Sequence, residues 1–169
     1  MTNKVFLIGI NEYAHQENLA SCIKDIDDFK IALIDKFQFL PEDFYELKNE
    51  KATSKNIQDA LRGYAKQLKN EDNLVIYFSG HGEYEEEYDR GFWVPYEAEN
   101  YTQFIANTTL LELLSAIKCK HMFLISDSCF SNSIFRIGKT KKVTEYFEKS
   151  SRWALSSAFH EAKDADSES

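Results

Sequence analysis

The sequence contains little glycine and proline, six and two of its 169 residues, which argues against a linker-rich or disordered chain. Its cysteines number three, so they do not form an even disulfide framework: Cys22, Cys119 and Cys129. The apolar stretch 5–10 is too short for the core of a secretion signal. We therefore expect free thiols in a reducing compartment and a cytoplasmic protein.

Long hydrophobic runs and an excess of positive charge are also absent. No run approaches the length that spans a membrane, and the net charge of −8 is a poor match for nucleic acid or an anionic membrane. We expect neither as a partner. Apolar residues make up 43% of the chain, enough for one domain with its own core over residues 1–169.

Apolar runs and helical patterns alternate along the chain, which is typical of an α/β fold. Because the runs are almost wholly apolar, they indicate strands covered on both faces. The pattern predicts a three-layer sandwich, a mostly parallel sheet flanked by helices. Strands are predicted at 4–10, 44–47, 73–78, 121–125 and 152–158; helices at 19–37, at 57–68 with a cap at Thr53 or Ser54, and at 109–117.

His81 and Cys129 each follow one of these apolar runs. Residues 74–78 lead into the motif SGHG at 79–82, and residues 122–125 lead into SDSC at 126–129. In open parallel sheets the chemistry gathers at the carboxyl ends of the strands, so an imidazole and a thiol are expected at one edge. This pair suits a cysteine nucleophile with a histidine base, and the N–H groups of Gly82 and Cys129 suit an oxyanion hole. Taken singly, such a cysteine is more often a buried small hydrophobe, and such a histidine a surface residue.

Together these residues resemble the caspase-like cysteine peptidases, and more closely the metacaspase and bacterial caspase-homologue branch. The matching segments are KVFLIGINEY at 4–13, SGHG at 79–82, DSCFS at 127–131 and RWALSS at 152–157. His81 precedes Cys129 by 48 residues, close to the spacing of about fifty found in caspases. The resemblance implies a cysteine endopeptidase that hydrolyses peptide bonds through a thioester, with Cys129 as nucleophile and His81 as base.

The resemblance also implies where specificity lies. In metacaspase-like members an acidic pocket holds the residue before the cut, and the matching positions here are Cys22, Asp25, Ser79 and Asp127. Two converging carboxylates favour a cation between them, so we expect protein or peptide substrates with Arg or Lys before the cut. The alternatives are that Asp25 is a carboxylate on a helix surface and that Asp127 orders its loop as a hydrogen-bond acceptor.

The family core usually continues past the fifth strand, whereas this sequence ends soon after it. We therefore expect a catalytic portion of the p20 type that lacks the C-terminal strand and helices, the p10-like part being absent or separate. Such a portion exposes a sheet edge that a second chain or a C-terminal fragment would cover. The alternative function is a catalytically silent interaction module or subunit that needs a partner chain.

We expect no cofactor and no metal site. Many metacaspases are activated by calcium through clustered Asp residues after the histidine, and this chain has an acidic stretch at 83–89 in that place. Its carboxylates lack the Asp/Gly alternation of a formed calcium site, which favours a solvated acidic loop and leaves calcium activation open. A zinc site made of Cys22, His81, Cys129 and a carboxylate lacks CxxC or HxxxH spacing.

Overall fold

Two β-sheets and three α-helices make up the described part of the protein, which in the computed structural model comprises residues 1–128 and 152–156. The helices are α1 (Cys22–Phe37), α2 (Ser54–Gln67) and α3 (Asn107–Ala116). The strands are β1 (Asn3–Gly9), β2 (Phe44–Lys48), β3 (Asn73–Ser79), β4 (Gly82–Glu85), β5 (Arg90–Trp93), β6 (Ile105–Ala106), β7 (His121–Asp127) and β8 (Arg152–Ser156).

The central sheet has five strands, all parallel, in the order β2-β1-β3-β7-β8. Phe6 and Ile8 of β1 pack on the side of α2 and α3, whereas Val5 and Leu7 pack on the side of α1. Right-handed crossovers account for this division, because the step from β1 to β2 runs opposite to the steps toward β3 and β7. The predicted α/β fold, a mostly parallel sheet between helical layers, is confirmed.

The larger core lies between the sheet and the α2/α3 layer. Phe78 of β3 stacks on Trp93 of β5 with ring centroids 4.2 Å apart, and this contact joins the two sheets. Helix α2 starts where the sequence predicts, because the Thr53 side chain accepts a hydrogen bond from the Asn56 N–H at 3.1 Å. Thr53, not Ser54, is therefore the cap.

Helix α1 begins at Cys22, three residues later than predicted. The Leu19 N–H donates to the Asn11 carbonyl at 2.7 Å, which keeps Leu19 in the preceding loop. The Asn11 side chain accepts from the Ile23 N–H at 3.0 Å and so caps the helix from that loop. A cap supplied from eleven residues before the helix carries no local sequence signal, which is why the prediction placed the start too early.

The prediction of an acidic loop at 83–89 is wrong in its first half. Gly82–Glu85 forms β4, which pairs antiparallel with β5 (Arg90–Trp93), and β6 completes a three-stranded sheet. A 3-10 turn at Glu86–Tyr88 joins the two strands. Charged side chains are common on edge strands, so the glutamates of β4 are compatible with a strand at this edge.

The end of β7 differs from the prediction, and the predicted end of β8 is not tested. Strand β7 continues two residues beyond 125, so Asp127 belongs to the strand rather than to the loop after it. Strand β8 is described from Arg152 to Ser156, and the last two residues of the predicted strand lie outside the described residues. Across 1–128 and 152–156, none of the helices has both the length and the apolar character needed to cross a membrane.

Asp72 ties the beginnings of three central strands together. Its carboxylate accepts the Thr2 N–H before β1 at 2.7 Å and the Lys69 N–H at 2.9 Å. Its carbonyl accepts the Lys120 N–H before β7 at 2.7 Å. The hydrogen bonds from the Lys69 and Thr2 N–H groups lower the pKa of Asp72 to about 2.

We predict that Asp72→Asn lowers the melting temperature at neutral pH. Because the pKa of Asp72 is lower in the folded chain, its stabilisation is present above pH 4 and is lost as the pH falls toward about 2. The substitution should therefore flatten the dependence of stability on pH in that window, measured by thermal denaturation with circular dichroism. Asp35→Asn, at an exposed position of α1, is the control. Parallel curves for the wild type and Asp72→Asn would contradict this role.

Replacing a glycine by alanine should have opposite effects on stability at two positions. A Cβ at Gly63 in α2 meets no atom within 4 Å, so Gly63→Ala should stabilise the chain by about 0.5–1 kcal/mol through helix propensity. A Cβ at Gly9 would lie 2.7 Å from Ile26 Cδ1 and 3.1 Å from the Cys22 carbonyl, so Gly9→Ala should destabilise it by about 1–3 kcal/mol. Chemical denaturation measures both, and effects of the same sign would refute the packing described here.

Candidate active site

The candidate site lies at the carboxyl ends of β3 and β7, which are neighbouring parallel strands. Ser79 pairs with Asp127 at their ends, and the Gly80 N–H donates to the Asp127 carbonyl at 3.2 Å. The segments that carry His81 and Ser128 therefore leave the sheet side by side. Cys129, the predicted nucleophile, follows directly and lies outside the described residues.

A tyrosine from the loop after β1 holds His81 through the backbone N–H of the histidine. The His81 N–H donates to the Tyr13 hydroxyl at 2.7 Å, and the two rings lie 4.8 Å apart between centroids. A Cβ at Gly80 would lie 2.7 Å from that hydroxyl, so the glycine before the histidine permits the contact. Burial raises the pKa of Tyr13, so its hydroxyl stays protonated in the neutral range.

The imidazole of His81 is oriented by a backbone carbonyl. Its Nε2 lies 2.7 Å from the backbone carbonyl oxygen of Glu17, which can only accept a hydrogen bond. Nε2 must therefore carry a proton, and in the neutral ring the lone pair is on Nδ1. This tautomer leaves Nδ1 as the basic atom of His81.

Gly82, the predicted oxyanion donor, begins β4 and is opposite Trp93 in β5. The Val94 N–H donates to the His81 carbonyl at 3.0 Å, which makes the neighbouring Gly82–Trp93 pair a non-hydrogen-bonded one. In such a pair the N–H points away from the partner strand. The Gly82 N–H is thus directed to the outer side of β4.

A buried hydrogen-bond chain holds the strand end that leads toward Cys129. The Trp93 indole N–H donates to the Ser126 hydroxyl at 2.9 Å, and the Ser126 and Ser128 hydroxyl oxygens lie 3.3 Å apart. All three residues are buried. Because the same indole stacks on Phe78, this chain links the end of β7 to β3, the strand that precedes His81.

The four residues predicted for an acidic pocket meet on the α1 side of the sheet. Cys22 begins α1 and interacts with the Ser79 side chain, and burial raises the pKa of its thiol. The charges of Asp25 and Asp127 act on the same thiol and raise its pKa further. Cys22, Asp25, Ser79 and Asp127 are thus brought together, with both carboxylates partly exposed.

Tyr77 is a fifth member of this group, and sequence reasoning missed it. Its hydroxyl donates to Asp127 Oδ2 at 3.5 Å, and its ring packs edge-on against Phe29 of α1 at 5.1 Å. Burial, followed by the charges of Asp127 and Asp25, raises the pKa of Tyr77. The hydroxyl therefore remains a protonated donor that orients Asp127. Its position two residues before Ser79, on the same face of β3, is the signal that was available.

Tyr13 and Glu17 were also missed. Both lie in the loop after β1, which ends at the same sheet edge as β3, so the rule about strand ends points to this loop. It does not identify the residues, because the loop conformation depends on distant contacts. One such contact is the Ala14 N–H, which donates to the Tyr96 carbonyl at 3.0 Å.

Among residues 1–128 and 152–156, no three His, Cys, Asp or Glu side chains lie close enough together to hold a metal ion. Glu83 and Glu85 lie on β4, and their charges act on Tyr101, whose pKa is raised by burial and then by these two carboxylates. Whether calcium acts on this stretch stays a prediction.

Comparisons with known proteins agree with this architecture. Metacaspase-6 of Arabidopsis thaliana is 29% identical over 161 residues, which cover 84% of this chain and 43% of that protein. Metacaspase-4 of the same plant is 31% identical over 166 residues, which cover 86% of this chain and 38% of that protein. The chain thus spans less than half the length of these relatives.

A structural relative and a family profile complete the comparison. A crystal structure of a Geobacter sulfurreducens protein superimposes with a TM-score of 0.63 at 20% identity, covering 82% of this chain and 55% of that one, which supports the fold alone. The sequence profile described as "Caspase domain" matches residues 2–167. The chain therefore belongs to the caspase-domain family.

Proposed function

We propose that this protein is a cysteine endopeptidase that cleaves peptide bonds after arginine or lysine. The observation that carries the proposal is the fixed His81 imidazole, with Nε2 on the Glu17 carbonyl, at the end of the strand beside β7. Cys129 is two residues beyond the end of β7 in sequence. Membership of the caspase-domain family supports the same chemistry.

The proposed reaction uses a dyad. The Cys129 sulfur attacks the carbonyl carbon of the scissile bond while its proton passes to His81 Nδ1. The tetrahedral intermediate collapses, and the leaving amine takes that proton from Nδ1, which leaves a thioester. Water then attacks the thioester and gives its proton to Nδ1, and the departing thiolate regains it. The Glu17 carbonyl stabilises the ring while it is protonated, because it accepts the Nε2 hydrogen in both states.

The proposed oxyanion hole consists of the N–H groups of Gly82 and Cys129. The orientation of Gly82 away from β5 supports this role, since an N–H that served the sheet would not be available to the substrate. The base, nucleophile and oxyanion donors all come from the chain, so the proposed reaction needs no metal or cofactor.

The proposed specificity pocket is the cluster of Cys22, Asp25, Ser79 and Asp127. Two carboxylates beside buried, uncharged Tyr77 and Cys22 create a negative potential that a substrate cation relieves. A guanidinium or ammonium group fits this need, whereas a substrate Asp would be repelled. The substrates are therefore proteins or peptides with Arg or Lys before the cut.

A silent subunit that requires a partner is the second candidate, and the surface of β8 favours it. Trp153 and Leu155 lie on one face of this strand with 73% and 57% of their surfaces exposed. Strand β8 is also the last strand of the described sheet, with no described strand beyond it. Exposed apolar side chains at an open sheet edge are typical of a surface that another chain covers.

We predict that the protein hydrolyses short fluorogenic peptides ending in Arg or Lys, and not those ending in Asp. Cys129→Ala and His81→Ala should each lower kcat by at least about 10³-fold, because the nucleophile and its base act as a unit. The control is Cys119→Ala, which should leave the rate unchanged. Cys119 is a half-buried cysteine just before the start of β7, at the other end of the strand from Cys129. Equal rates for wild type and Cys129→Ala, alone and with a candidate partner chain, would favour the silent subunit.

We predict that Asp127→Asn lowers kcat/KM for an arginine substrate by about 10- to 100-fold, the effect expected when a charged hydrogen bond is lost. Tyr77→Phe should act in the same direction but less, since it removes only a donor to Asp127. Asp28→Asn, which changes an exposed carboxylate paired with Lys24, is the control. A loss equal to that of Asp127→Asn in this control would show that the effect is general electrostatics rather than a pocket.

A further inference from the structure

A cavity of about 450 Å³ lies between β2 and α2, at the end of the sheet opposite to the candidate active site. Lys4 and Phe44 border it, and they lie where the pairing of β1 with β2 begins. The candidate site lies beyond Ser79, at the other end of the strands. Nothing in the proposed reaction uses this cavity.

Tyr64 borders the cavity and carries an unpaired hydroxyl. The residue is only 8% exposed, and its hydroxyl has no hydrogen-bond partner among the residues of the described part. Tyr64 is also one of the residues that line the cavity. Burial raises the pKa of Tyr64, which keeps the hydroxyl able both to donate and to accept.

The walls of the cavity suit a flat group. The rings of Tyr45 and Tyr64 both pack against Phe6, with centroids 5.7 and 5.8 Å from it. Gly63 leaves the space beside them open, since a Cβ there would touch nothing within 4 Å. A planar guanidinium stacks well on aromatic faces and donates to phenolic and carboxylate oxygens.

The charge of the lining also favours a cation. Glu42, Asp43 and Asp59 border the cavity; Asp59 is already paired with Lys55 and Arg62, and Asp43 with Lys4. Lys4 already binds Asp43 at 3.5 Å and the Glu42 carbonyl at 3.3 Å. In residues 1–128 and 152–156, the Glu42 carboxylate has no ion-pair partner, so it is available to a positively charged ligand.

The neighbouring sheet edge suits an extended peptide. Strand β2 is the first strand of the sheet order, so within the described part its outer edge pairs with no strand. Phe44 and Tyr45 belong to that strand and also line the cavity. A peptide that paired with β2 would run past the cavity mouth and present a side chain to it.

We propose that this cavity is a docking site for an extended segment of another protein, whose arginine side chain enters between Tyr45 and Tyr64. The site is separate from the candidate specificity pocket, and its occupant need not be cleaved.

The test uses ¹⁵N-labelled full-length Cys129→Ala protein and an acetylated, amidated heptapeptide with one central arginine among threonines and valines. We expect saturable shifts of the amide signals of Tyr45, Gly63 and Tyr64. The same peptide with citrulline, which is neutral, should bind at least about tenfold more weakly. Shifts confined to residues around Asp25 and Asp127 would overturn the proposal, as would equal affinity for the citrulline peptide.

Variants at two neighbouring positions locate the site. Gly63→Leu fills the open space and should abolish the shifts, whereas Gly63→Ala should retain them. Tyr64→Phe should weaken binding about three- to tenfold, because it removes the hydroxyl that we expect to bond the ligand. Unchanged binding by a folded Gly63→Leu protein would refute the site. Free arginine that bound as tightly as the heptapeptide would refute the docking of an extended segment.

Discussion

The pairing of β3 with β7 is the constraint on which the site depends. Because Ser79 and Asp127 lie opposite each other at the ends of parallel strands, the two segments that follow start from neighbouring points. The hydrogen bond from the Gly80 N–H to the Asp127 carbonyl extends this contact one residue further. Shifting the register by one residue would turn Ser79 and Asp127 to opposite faces and separate the acidic cluster.

The apolar runs predicted the strands well, because strands covered on both faces must be apolar throughout. The same reasoning placed His81 at the correct sheet edge, since the position follows from the topology alone. The predicted start of α1 was wrong because Asn11 caps the helix from a loop. The β4–β5 hairpin was missed because the acidic side chains of β4 suggested a loop, although an edge strand accommodates them.

The pocket residues were predicted from a family resemblance, and the structure brings those residues together without assigning their role. The sequence alone could not show the surroundings of these side chains. Tyr77 and Cys22 are buried beside the carboxylates and stay uncharged, so the negative charge is concentrated on Asp25 and Asp127. The tautomer of His81 depends on the Glu17 carbonyl, which a distant loop places. Such contacts come from tertiary packing, and no local pattern encodes them.

The proposed enzyme combines a rigid sheet edge, a histidine with a defined basic atom and a proposed acidic pocket. A crystal structure of the protein with a peptidyl-arginine aldehyde tests this proposal most directly. We predict a covalent bond from the Cys129 sulfur to the aldehyde carbon, with His81 Nδ1 within about 3–4 Å of the sulfur or the new oxygen. We also predict that the guanidinium lies between Asp25 and Asp127. A sulfur that lies out of reach of the imidazole, or an arginine bound away from these carboxylates, would contradict the proposal.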